Sequence, residues 1–184
     1  TAAGIDGALK HPDREQARRT QDRVDLLIPI VKAWFTDLGN EIASIGVQVH
    51  GGMGFIEETG AAQYLRDVRI TRIYEGTNGI QAMDLVGRKM MDEGEAAMRL
   101  IDEVAEGAEA ARGAFPDMAH AVWSAAQNLR EGTEGLLAQS PQDRFAGAVA
   151  YARAFARVLG AHYHLRAAMV AGAGSARARL AEAF

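Results

Sequence analysis

No cysteine occurs among the 184 residues. Disulfides, thiol nucleophiles and thiolate metal sites are therefore excluded. No apolar run approaches the ~20 residues that a helix needs to cross a bilayer. The opening residues, Thr1-Ala2-Ala3-Gly4-Ile5-Asp6, lack the basic start and apolar stretch of a signal peptide. They also lack an initial Met, and we expect a structured piece of a longer protein. Positive charge is not in excess. Twenty Lys and Arg against 24 Asp and Glu leave a net charge of -4. That balance gives no electrostatic footprint for nucleic acid and no polybasic reason to sit on a membrane. The lack of cysteine fits a cytoplasmic protein. Neither a convincing strand nor a fixed-period repeat is found.

What is present is helical. Apolar residues make up 48% of the chain and charged residues 24%, enough for a buried core and far from a disordered composition. Pro29 suits the first turn of a helix, where its missing N–H costs nothing. From there Ile30, Val31, Trp34, Phe35, Leu38, Ile42, Ile45 and Val49 recur at helical spacing and predict one apolar face. Gly51 and Gly52 end that helix. Residues 50–59 are expected as a loop. A short helix over 61–70 follows, with Tyr64, Leu65 and Val68 inward. Thr77 is then the N-cap of a helix through Ile80, Met83, Leu85, Val86 and Met90. Further helices are expected near 95–112, 116–138 and 142–171. Pro116 and Pro141 sit at helix starts, and Gly172 to Ser175 form a break before a last short helix. Phe145, Val149, Ala152, Phe155 or Ala156, Leu159, Tyr163 and Val170 make a packing stripe. The fold class is all-α, a truncated helical bundle over 1–92 followed by a second bundle over 93–184.

Two blocks carry the chemistry. One is Tyr74-Glu75-Gly76-Thr77-Asn78-Gly79. A lone glutamate in a loop is usually just solvated. Here Gly76 removes a side chain beside it, so a ligand can approach the backbone. Thr77 opens a helix whose first N–H groups are free. The other block is Gln48-Val49-His50-Gly51-Gly52-Met53-Gly54-Phe55, whose plain reading is a helix C-cap and a glycine turn. Together, about twenty residues apart, the two blocks resemble the C-terminal domain of the acyl-CoA dehydrogenases. The close resemblance covers about residues 24–90. The alanine-rich remainder is similar to the extra helical region of a long branch of that family.

The resemblance implies an FAD-dependent α,β-dehydrogenation of an acyl-CoA thioester. Glu75 would be the base that removes the α-proton, with Tyr74 and Gly76 beside the substrate. Gln48, Gly51, Gly52, Thr77 and Gly79 would contact FAD, the first three on a cofactor held mainly by a neighbouring subunit. Many relatives carry glutamine where this chain has Gly79, so that contact loses its side chain. The implied partners are acyl-CoA, an electron-transfer flavoprotein and further copies of the chain. Trp34, Phe35 and Leu38 are expected as exposed apolar surface for self-association. A non-enzymatic helical oligomerisation module is the rival reading. The fragment alone is expected neither to hold FAD nor to turn over.

Other residues read as structural. Arg66 and Asp67, on the short helix, read as a surface or interhelical ion pair. His50 is structural or peripheral. His162 and His164, two apart on a helix, face roughly opposite ways, a poor geometry for a shared metal, so no metal site is expected.

Overall fold

The computed structural model describes residues 2–183, and all of its regular elements are helical. The nine α-helices are α1 (Ala2–Lys10), α2 (Arg14–Val49), α3 (Gly52–Phe55), α4 (Ala61–Arg69), α5 (Asn78–Val86), α6 (Glu95–Ala111), α7 (Pro116–Leu137), α8 (Pro141–Ala171) and α9 (Ala176–Glu182), counted among the described residues. Single 3-10 turns cover 57–59, 70–72 and 88–90. Thr1, the first of the opening residues that lack signal-peptide features, lies outside the described residues.

The spine is α2. Asp13 caps it by accepting the backbone N–H groups of Glu15 at 2.8 Å and Gln16 at 3.1 Å. The helix therefore begins well before Pro29 and runs through it, against the expectation of a start there. A proline in a helix interior forfeits one backbone bond, at about 3 kcal/mol. Burial of Pro29 with Val24, Leu26, Leu27 and Ile30 offsets that loss.

The expected apolar face of α2 splits in two. Its first half packs on α5, α6 and α8. Further along, Phe35 is 63% exposed, Ile42 65% and Val49 78%. The short α3 and α4 also pack on this helix, yet these apolar side chains stay open to solvent. Trp34 and Leu38 are half-buried rather than exposed. Tyr64, expected inward on α4, is exposed, while Leu65 and Val68 are half-buried against α2. The segment 50–59 is likewise not a plain loop, because α3 and a 3-10 turn lie within it.

The core is one contiguous cluster. Leu26, Leu27 and Ile30 of α2 meet Leu85 and Val86 of α5. The same cluster continues through Leu100, Ile101 and Val104 of α6, Val122 and Leu129 of α7, and Phe155 and Leu165 of α8. Thr133 and Tyr151 share a buried hydrogen bond of 2.8 Å that ties α7 to α8. Of the stripe expected on α8, Ala152, Phe155, Ala156 and Leu159 are buried. Phe145, Val149, Tyr163 and Val170 are not, since the buried face runs instead through Ala148, Tyr151, Val158 and His162. Pro116 and Pro141 each open their helix, and Ser140 caps the second by accepting from the Asp143 N–H.

Candidate active site

The chain reaches α5 through an unusual turn. Tyr74 closes the preceding 3-10 turn, its N–H bonded to the Ile70 carbonyl at 3.1 Å. Glu75 then takes a positive φ of 53° and Gly76 one of 88°. A left-handed glutamate costs on the order of 1–2 kcal/mol, and such strain collects at functional positions. Thr77 caps α5, its hydroxyl oxygen accepting from the Ile80 N–H at 3.4 Å. Tyr74, Glu75, Thr77 and Gly79 are exposed and Gly76 is half-buried. The five sequence-derived residues thus sit together on one short surface segment.

A polar cluster beneath this segment escaped the sequence reading. Asn78, the first residue of α5, donates from Nδ2 to the Ala33 carbonyl at 3.1 Å, Thr36 Oγ1 at 2.9 Å and Asp37 Oδ1 at 2.8 Å. Lys32 Nζ donates to Asn78 Oδ1 at 2.9 Å and to the Gly76 carbonyl at 2.6 Å. Gln81 Nε2 donates to the Glu75 carbonyl at 3.1 Å. Asp37 is also paired with Arg72 at 2.7 Å and with Arg153 of α8 at 3.2 Å. Gly79 lines a cleft of about 150 Å³ beside Trp34, Asp37 and Arg153. Lys32 and Thr36 are four apart and so share one side of α2, but nothing in the sequence marks that side as the one that meets Asn78.

Gln48, Gly51 and Gly52 lie elsewhere. Gln48 is exposed on the last turn of α2, and its carbonyl accepts from the Gly51 N–H at 3.0 Å. His50 Nδ1 lies 2.8 Å from the Gly46 carbonyl, a local cap contact in keeping with a structural role. Gly51 has a φ of 59°, which suits glycine. A Cβ added at Gly51 or Gly52 would meet nothing within 4 Å. This exposed backbone, free of side chains, fits the flat approach of an extended cofactor. Gly54 differs: its Cβ would stand 2.2 Å from the Val47 carbonyl, so α3 can fold back on α2 only without a side chain there.

The two blocks are not one pocket. Asn78 docks on α2 at Thr36, twelve residues before Gln48. At 1.5 Å per residue that is about 18 Å along the helix axis.

The remaining sequence candidates resolve simply. Arg66 pairs with Glu57, at 2.7 and 2.9 Å, and not with Asp67. A neighbour on the same helix points away, whereas Glu57 stands across the turn. That contact holds the Glu57 carboxyl below its ordinary pKa range. Among the described residues no group of three His, Asp or Glu side chains could hold a metal ion. His162 is buried in the α6–α8 interface, a role its pairing with His164 did not suggest.

Comparison with known proteins agrees with the two blocks. Residues 7–91 match the family described as acyl-CoA dehydrogenase, C-terminal domain. A 3-methylmercaptopropionyl-CoA dehydrogenase of Ruegeria pomeroyi is 43% identical over 153 residues, which is 77% of this chain and 25% of that protein. A butyryl-CoA dehydrogenase of Syntrophomonas wolfei is 34% identical over 103 residues, 55% of this chain and 17% of its own length. The broad-specificity linear acyl-CoA dehydrogenase FadE5 of Mycobacterium tuberculosis is 35% identical over 83 residues, 45% of this chain and 14% of its own. The chain thus spans a quarter or less of the length of these relatives. The match to the Ruegeria protein extends the similarity beyond residue 91 into the alanine-rich helices.

Proposed function

Residues 7–91 are an acyl-CoA dehydrogenase C-terminal domain, and from that premise we propose that the chain is the part of an FAD-dependent acyl-CoA dehydrogenase that carries the catalytic base, Glu75. The observation behind this reading is the left-handed turn at Glu75 and Gly76. It presents an exposed carboxylate beside a residue with no side chain, so a thioester can lie against the backbone.

Glu75 takes the proton from the carbon next to the thioester carbonyl. The electron pair of that bond forms the new carbon–carbon double bond as hydride departs from the β-carbon. FAD, when bound, supplies the acceptor for this hydride. An α-proton is weakly acidic, so the charge growing on the thioester oxygen has to be stabilised as it develops. The backbone N–H of Glu75 is the donor we assign to that oxygen. Tyr74 and Gly76 flank the acyl group. Thr77 and Gly79 border the cofactor on this side, and Gln48, Gly51 and Gly52 offer bare backbone to the FAD of a neighbouring copy. The separation along α2 supports this division of labour between two cofactors.

Acyl-CoA is the substrate class of this proposal, and an electron-transfer flavoprotein is the electron acceptor. Residues 1–92 are assigned to the dehydrogenase-type unit and 93–184 to an appended helical unit, although their apolar core is continuous. Self-association is part of the reading too, through the exposed apolar stripe of α2.

The test is Glu75→Gln in the longer polypeptide that joins this sequence to flavin-binding domains. Rapid anaerobic mixing with acyl-CoA follows the bleaching of the flavin. Bleaching should slow by ~10²–10⁴, the usual worth of a positioned base, with FAD content kept. Bleaching near the parent rate would remove Glu75 from the mechanism.

A further inference from the structure

The strained turn has an unusual fastening. Glu93 and Gly94 form a second left-handed pair, with φ of 59° and 79°. There the Gly94 carbonyl enters the helix ladder, accepting the Met98 N–H at 2.9 Å. Asp92 caps the same turn through the N–H groups of Gly94 and Ala96. Backbone and local capping suffice. At Glu75 and Gly76 both carbonyls are held by side chains instead. Gln81 reaches the first from α5, and Lys32 reaches the second from α2.

Lys32 is not needed merely to dock α5. Asn78 already fixes the first turn of that helix on α2 through three acceptors. The Lys32 bond to the Gly76 carbonyl adds something different, because it fixes the peptide next to the glutamate. It is short, at 2.6 Å, charge-assisted and half-shielded from water. Gly76 has no side chain to restrain its own φ and ψ, so this contact and the Gln81 contact are what hold the pair in one conformation.

We infer that Lys32 is a positioning residue for Glu75, locking the Glu75–Gly76 turn so that carboxylate and backbone N–H meet the substrate together. This rests on the reading of Glu75 as the base. Lys32 touches no reacting atom in this scheme. It acts through the Gly76 carbonyl, and its loss loosens the turn without removing any group assigned to the substrate.

Two measurements test it. In the 184-residue chain, Lys32→Met keeps the reach of the side chain and removes its charge and donor. NMR order parameters at Glu75 and Gly76 should fall from the rigid value of about 0.85 toward about 0.6, with those of α6 and α7 unchanged. In the flavin-loaded longer polypeptide, the same variant should reduce flavin at a rate about 10- to 100-fold lower, the scale expected for a base displaced by about 1 Å. Acyl-CoA affinity should hold, and Lys32→Arg should recover part of the rate. Unchanged order parameters, or an unchanged rate in a background where Glu75→Gln abolishes reduction, would overturn the positioning role and leave the base intact. Equal loss of rate and affinity in both lysine variants would also overturn it, since that marks general damage. If Glu75→Gln itself reduces flavin normally, the base reading fails first.

Discussion

Arg23 of α2 and Glu103 of α6, 80 positions apart in sequence, meet in a two-point ion pair, with both guanidinium Nη atoms donating to the carboxylate. The same carboxylate has Arg166 Nη1 at 3.8 Å and His162 Nε2 at 3.9 Å, both from α8. Three helices thus converge on one glutamate. His162 is 2% exposed, and neither ring nitrogen has a hydrogen-bond partner. Burial lowers its pKa below the ordinary histidine value. The Glu103 charge opposes that shift, while Arg166 and Arg23 add to it.

A pH dependence follows. Because the folded state holds His162 neutral, the unfolded chain binds its proton at higher pH than the folded chain does. Stability therefore rises with pH through this window. It is fully present above the ordinary value of 6.5 and is lost as pH falls from there toward the depressed folded value. Thermal unfolding at pH 7 and pH 5 should show the midpoint dropping at the lower pH. His162→Leu should shrink that drop, because the titrating group is gone. An identical drop in both proteins would assign the effect to other groups.

A Cβ at Gly107 would stand 2.7 Å from His162 Cε1, so the imidazole would have to shift to admit it. Gly54 is tighter, because its obstacle is the Val47 carbonyl rather than a side chain that can turn away. Gly54→Ala should cost about 1–3 kcal/mol, the scale of overpacking in a close-packed site. Urea denaturation measures it. Gly52→Ala, with open space at its Cβ, serves as the control and should leave the midpoint nearly unchanged.

Asn78 should matter more than its place at the start of a short helix suggests. Asn78→Ala removes the donor to three acceptors on α2 and leaves Asp37 without one of its partners. A loss of about 1–3 kcal/mol is expected for polar groups left unsatisfied. Asn78→Asp should destabilise as well, because it brings a second carboxylate against Asp37, with Lys32 and Arg72 offsetting part of the repulsion. Both are read from chemical denaturation, with the α5 amides followed by NMR.

Helix starts, caps and glycine breaks were legible in the sequence because each depends on local chemistry. Thr77, Pro116 and Pro141 act where their side chains stand, and the helices from 95 onward fall within a residue or so of expectation. Which face is covered was less legible. The periodicity of α2 is uniform, but the long helices cover one side of it and leave Phe35, Ile42 and Val49 open. Pro29 signalled a helix start, and tertiary burial overrode that signal. The motif around Glu75 was visible as a pattern. Its clamp was not, since Lys32 and Asn78 are 46 positions apart and neither is unusual in its own neighbourhood.

The isolated chain should fail to retain FAD. Gly51 and Thr77 stand on segments about 18 Å apart along α2, so one copy offers two separate edges rather than an enclosing pocket. Fixing a ligand costs several kcal/mol of lost freedom, and a single edge of bare backbone recovers little of it. Equilibrium dialysis against FAD should show no stoichiometric uptake by the 184-residue chain. Stoichiometric flavin would mean that copies of the chain alone complete the site.

Self-association is the complementary expectation. Phe35, Ile42, Val49 and Phe55 expose apolar side chains on α2 and α3, with Phe55 81% exposed. Contiguous apolar surface of this kind usually marks a contact face, and a two-fold dimer is the commonest way to bury it. Sedimentation velocity across a wide concentration range should show a dimer or larger species. Replacing Phe35 and Ile42 by serine should shift the distribution toward monomer while far-UV circular dichroism stays the same. These side chains are outside the buried core, so their loss removes a contact face and not the fold. A monomer at every concentration would mean that this face is covered by something other than a second copy. A dimer that survives both substitutions would place the contact elsewhere, with the exposed Val170 of α8 as the next position to test.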